Sequence, residues 1–265
     1  KSMAIAALSY GIVRCCLNNI TSSSMGIPSR MTIENRIPEL RNQTGRLAGR
    51  HGLFDFGQTL SARIIEITCL IPPGKNDAAL LSLKDSIVNW LNPDKGLCPL
   101  ILDREPGRRY MARLQDGLSF ETLVRNSGTF DLTFFCPDPF AYAVADETFT
   151  LTDSADITRT LGNVESHPLY LLRGSIPDEG SYIRFSVNGE TVQVNGPLLA
   201  TDALYIDTED MTAKKVSALN EETNALGLMD TLVFPYLNTG SNTVTIGTSG
   251  SVLASLAIHA RSRWL

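Results

Sequence analysis

Hydrophobic residues along this chain switch from helical to strand-like spacing, and only one segment keeps the helical period. Leu80, Leu83, Ile87, Trp90 and Leu91 recur three and four residues apart, while Lys84, Asp85 and Asn89 fall off that stripe. Asn76 or Asp77 can supply the capping oxygen, and Asn92-Pro93 with Gly96 stops the run. The pattern predicts a helix over about residues 77–91 whose apolar stripe packs into a core. Its neighbours read as strands. Residues 62–71 are rich in β-branched side chains and end at Pro72-Pro73-Gly74. Residues 99–102 and 110–114 flank Asp103-Arg104-Glu105-Pro106-Gly107, which has the residues of a hairpin turn. Residues 118–124 and 129–135 continue in the same style, giving an α+β unit of sandwich- or barrel-like sheets with one helix.

Beyond the midpoint the pattern is all-β. Residues 181–187 and 190–194 flank Asn188-Gly189, the pair suited to a type I′ turn because both central residues need positive φ. Residues 202–208, 242–247 and 251–260 add short strands at the spacing of an antiparallel two-sheet sandwich. The fold class read from the whole chain is mainly β.

The boundary between the halves is the stretch Phe135-Cys136-Pro137-Asp138-Pro139-Phe140. Each proline removes a backbone donor and pushes the preceding residue toward extended geometry, so a sheet ends there. Charge divides at the same place. Residues 1–137 hold 16 Lys and Arg against 12 Asp and Glu, and residues 138–265 hold 7 against 16. Domains are therefore expected at 1–137 and 138–265, each of ordinary size.

Composition narrows the chemistry. No apolar run reaches the ~18–20 residues of a membrane helix. The apolar start at residues 3–8 is soon broken by Ser9-Tyr10 and Arg14, and reads as ordinary sequence rather than a secretory signal. Five cysteines without paired spacing, and three histidines far apart, argue for buried reduced thiols rather than a zinc site. GxSxG, GxGxxG, Walker and HExxH motifs are all missing from the sequence. The carboxylates Asp207, Glu209 and Asp210, and Glu221-Glu222, could form a hydrolase pair or a calcium site, but exposed acidic turns explain them as well. Tyr170, Tyr182, Tyr205, Tyr236 and Trp264 could build a sugar-stacking platform or simply pack in strands. The basic excess of the first half is too small, and too poor in interleaved aromatics, for nucleic-acid binding. No cofactor is expected, and the chain is read as a non-enzyme.

One segment resists burial. Residues 36–57 carry Arg36, Arg41, Arg46 and Arg50 among Gly45, Gly49, Gly52 and Gly57, with few large apolar residues before Leu53-Phe54. Such a stretch is either a solvated loop or an arm that orders against another subunit. Arginine suits the second role through bidentate contacts and modest hydration.

The order of several short motifs resembles the distal tail proteins of long, non-contractile-tailed bacteriophages (siphophages). Gly45-Arg46-Leu47-Ala48-Gly49-Arg50-His51-Gly52 before Phe54-Asp55-Phe56-Gly57 is similar to that family's glycine–arginine segment. Arg63-Ile64-Ile65-Glu66-Ile67, the capped helix, Leu100-Ile101-Leu102-Asp103 and the proline seam follow in the family's order. Gly162-Asn163, His167-Pro168, Leu204-Tyr205-Ile206-Asp207, Phe234-Pro235, Gly240-Ser241-Asn242 and Arg263-Trp264-Leu265 fit its second domain. The resemblance implies a homo-hexameric ring at the virion tail tip, made in the host cytoplasm. Its N-terminal domains would close the ring and its galectin-like C-terminal domains would project outward. The implied partners are the tail tube protein, the tail-associated hub protein and, in some phages, a receptor-binding protein. Arg46, Arg50 and His51 are the implied subunit-interface candidates. The alternatives are a monomeric carbohydrate-binding module and a wall hydrolase. The second half is too short for a large inserted sugar-binding module, which favours an adaptor role.

Overall fold

Ile65, Ile67 and Cys69 are buried while Ile64, just before them, is 44% exposed, so the β-branched run predicted as a strand presents one face to a core. The computed structural model describes residues 15–17, 20–21, 29–30, 38–70, 77–102, 104–116 and 129–265. The chain divides into two compact units, Lys1–Ala141 and Tyr142–Leu265.

In the first unit the strands are β1 (Cys15–Leu17), β2 (Ile20–Thr21), β3 (Ser29–Arg30), β4 (Leu40–Gly45), β5 (Phe54–Leu60), β6 (Arg63–Leu70), β7 (Cys98–Leu102), β8 (Arg108–Leu114) and β9 (Thr129–Cys136). Its one described helix is α1 (Asp77–Trp90). The main sheet runs β2-β1-β7-β8-β9-β6-β3, and β4 pairs with β5 alone. Alternation sets the core: Leu132, Phe134 and Cys136 of β9 and Leu100 and Leu102 of β7 are buried with β6. Ile87, Trp90 and Leu91 close the helical stripe onto a core. The side chains of Leu80 and Leu83, the capping residue Asn76, Asp103 and the predicted strand at 118–124 lie outside the described residues. The turn before β8 is closed by Glu105 N–H donating to Leu102 O at 2.8 Å. Its carboxylate then accepts from Tyr110 Oη at 3.0 Å and Arg108 Nη1 at 3.2 Å. Arg63, buried at the start of β6, donates from Nε to Pro139 O at 2.8 Å and so fixes the seam segment.

The short strand β10 (Ala141–Ala143) spans the boundary, and the second unit holds β11 (Thr148–Leu151), β12 (Ala155–Arg159), β13 (Leu169–Ser175), β14 (Tyr182–Val187), β15 (Glu190–Asn195), β16 (Ala203–Asp207), β17 (Thr212–Val216), β18 (Glu222–Asn224), β19 (Gly240–Ser249), β20 (Val252–His259) and β21 (Arg263–Trp264). A six-stranded sheet, β11-β20-β13-β16-β17-β18, faces a four-stranded one, β12-β19-β14-β15. Tyr170, Leu172, Leu204, Ile206 and Ile258 from the first meet Ile183, Phe185, Val192, Val194 and Val244 from the second in one core. The Tyr170 and Phe185 rings lie 5.1 Å apart across it. The predicted hairpin forms as the sequence dictates: Asn188 and Gly189 have φ of 52° and 93°, and Val187 pairs with Glu190. The strands β10, β11, β12, β13, β17, β18 and β21 are additions to those expected from sequence. Most are short, and the apolar run of β13 hides its alternation because both faces carry apolar side chains, Tyr170 and Leu172 buried and Leu169 and Leu171 half-buried.

Candidate assembly interface

The arginine-rich segment, expected as a solvated loop or an arm, contains a two-stranded antiparallel hairpin whose side chains are almost all exposed. Leu40 pairs with Leu60, Asn42 with Gln58 and Gly45 with Phe54, with a register shift between Asn42 and Thr44. Ser61 N–H donates to Glu39 O at 2.7 Å and closes the base. Successive strand residues face opposite ways, so Phe54 and Phe56 share one face. Their rings stack at 6.4 Å between centroids with an interplanar angle of 20°. The Phe56 ring covers Gly45, where a Cβ would stand 2.8 Å from Cε2 and would push the ring aside. At the tip, residues 46–53, Arg50 lays its guanidinium 4.1 Å from the Phe54 centroid. The result is a plate of guanidinium, ring and ring with Phe56 70% and Leu47 60% exposed.

Arg46, Arg50 and His51 are all exposed at this tip. The structure joins Arg50 to the aromatic plate; Arg46 and His51 flank it without a hydrogen bond or ion pair among the described residues. Arg36 lies outside those residues. Phe54 and Phe56 are the site residues that sequence reasoning left out. Their signal was the alternation Phe-Asp-Phe behind a glycine-rich turn, which places two aromatics on one face of any strand.

The other candidate chemistry of the sequence is absorbed by the second unit's own structure. Tyr170 is wholly buried and donates to Pro235 O at 2.9 Å, so it cannot stack on a sugar. Tyr182 and Tyr205 lie on different sheets, so the five aromatics form no single platform. Asp207 is gripped by Arg261, with Nη1–Oδ1 at 2.6 Å and Nη2–Oδ2 at 2.7 Å, and Glu209 lies 3.3 Å from the same guanidinium. Partial burial pushes the Asp207 carboxyl upward, but the Arg261 hydrogen bonds and charge, with the Asp210 and Glu209 N–H groups, outweigh it and the net shift is downward. A carboxylate held ionised this way makes a poor general acid. Glu222 pairs with Lys214 at 3.0 Å. Among the described residues no three His, Cys, Asp or Glu side chains converge on a metal position. Cys69, Cys98 and Cys136 are free and buried, and burial first of all pushes the Cys69 and Cys136 thiols up to about 12.

Residues 21–136 match the family described as the phage tail protein RIFT-related domain. Among solved structures the chain is similar to the Dit protein (gp 19.1) of phage SPP1, described as a paradigm of the hub adsorption apparatus in Gram-positive infecting phages. The TM-score is 0.69 at 14% identity, over 96% of this chain and 100% of that one. It is also similar to a chain of the phage p2 baseplate in its activated conformation with Sr, at a TM-score of 0.46 and 13% identity over 93% of this chain and 96% of the other. No curated protein sequence matches it. The resemblance read from the sequence is thereby borne out: the chain carries a phage tail protein RIFT-related domain over residues 21–136 and has the fold of a siphophage distal tail protein.

Proposed function

We propose that this chain is a structural protein of a phage or prophage tail tip, six copies of which close into a ring joining the tail tube to the tail-associated hub. The observation that carries the reading is the β4–β5 arm. An isolated two-stranded hairpin is at best marginally stable in water, yet this one spends its largest side chains on an exposed plate of Phe54, Phe56 and Arg50. A neighbouring copy that covers the plate supplies the burial the hairpin lacks. Each arm clasping the next subunit is a heterologous contact, which closes a ring when the rotation is right. Arg46, Arg50 and His51 then lie at the subunit contact. The second unit is the galectin-like outer domain, and its sandwich offers a dock for a receptor-binding protein. The protein works by assembly at the virion tail tip, after synthesis in the host cytoplasm, and not by catalysis.

Solution mass by light scattering, with negative-stain images of the same fraction, tests this. A six-copy ring with an open centre is expected, alone or on adding the tube and hub proteins. A monomer that persists with both partners present overturns the reading.

A further inference from the structure

The two outer faces of the sandwich differ in chemistry. The six-stranded sheet turns half-buried Leu169, Leu171 and Tyr205 outward. The four-stranded sheet is different. Ile183, Phe185 and Val187 point into the core, so Tyr182, Arg184 and Ser186 face out. Strand register sets Arg184 between Gln193 and Gly247, and Tyr182 beside Asn195. A Cβ at Gly247 would stand 3.8 Å from Nη2 and 3.9 Å from Nε of Arg184, so the guanidinium lies over the glycine. It is 5.7 Å from the Tyr182 ring centroid and has no hydrogen bond or ion pair among the described residues. Gln193 Nε2 donates to Asn195 Oδ1 at 3.1 Å, which leaves Gln193 Oε1 and Asn195 Nδ2 uncommitted. The next row, Ser186 with Thr191 and Thr245, carries only hydroxyls.

We propose that this face binds a neutral saccharide chain, with Tyr182 and Arg184 as its central contacts. The planar guanidinium and the two amides offer the paired donors and acceptors that adjacent sugar hydroxyls require. The Tyr182 ring takes the apolar C–H face of a pyranose. With no aliphatic side chain among these positions, the face lacks the apolar centre that a protein partner would seek. Charge selects further: a half with 7 basic against 16 acidic residues repels a polyanion, which leaves an uncharged chain as the matching ligand. The surface is the sheet itself and needs no inserted sugar-binding module. It stands whether or not the ring forms.

Saturation-transfer NMR and calorimetric titration of the full-length protein with chitotetraose, maltotetraose and lactose test the proposal. At least one should bind, and Tyr182→Ala or Arg184→Ala should each weaken it about tenfold. Gly247→Val should do the same by lifting the guanidinium, with no donor removed, while Arg184→Lys should restore only part of the affinity. Tyr205→Ala, on the other sheet, should leave binding intact. Failure of all three sugars to bind, or binding that survives both Tyr182→Ala and Arg184→Ala in variants with unchanged circular dichroism, overturns it.

Discussion

Gly162 shows how one residue holds the end of the second unit together. Its φ is +89°, and a Cβ there would stand 2.7 Å from the Arg263 carbonyl oxygen, a backbone atom that cannot turn aside. Gly162→Ala should therefore lower stability by about 1–3 kcal/mol, from left-handed backbone strain and the clash together. Thermal unfolding of the full chain measures this; an unchanged midpoint would show that the 160–163 turn can shift freely. Asp207 gives a pH signature. Its folded pKa lies below the ordinary aspartate value, so its stabilising effect is fully present above that ordinary value and fades as pH falls through the folded pKa. The wild type should thus be more stable than Asp207→Asn at neutral pH, with the two curves converging as acid is added below about pH 4. His167 acts in the same direction at higher pH. Burial first, then the Arg263 charge, hold its pKa below 6.5, so protonation costs stability as pH falls below that value.

At the scale of elements, the aromatic plate and the basic tip of the arm would make separable contributions to the proposed ring. Desolvated aromatics anchor interfaces, whereas rim charges change association rates more than affinity. Phe54→Ala with Phe56→Ala should abolish ring assembly, while Arg46→Glu with Arg50→Glu should slow it and make it salt-dependent; sedimentation at two ionic strengths distinguishes them. Neither pair should change monomer stability by more than about 0.5 kcal/mol, because all four side chains are exposed. How these elements were read from sequence depends on what drives each. Helix α1 was legible because its stripe repeats at one period, and β14–β15 because Asn188-Gly189 admits few other turns. The arm was visible as arginine and glycine but not as a hairpin: its strands are almost wholly exposed, and only the short Phe54-Asp55-Phe56 stretch alternates apolar and polar positions. The short strands β11, β12 and β18 were missed for a related reason, each being only three to five residues long.

For the whole molecule, the division of charge near residue 138 and the division into units at Ala141 and Tyr142 coincide within a few positions. Side-chain roles were less readable, since they depend on partners far away in the chain: Asp207 on Arg261, Tyr170 on Pro235, Arg63 on Pro139. The acidic cluster that suggested metal or catalysis is, in three dimensions, a counter-ion for one arginine.

The arm's tip has one more consequence. Arg46 and Arg50 are exposed bonds for trypsin at the turn of a hairpin that a neighbouring copy would cover in the proposed ring. Limited digestion should nick the free subunit there first and spare the completed ring, so the lifetime of the uncut band would report, copy by copy, how far assembly has gone.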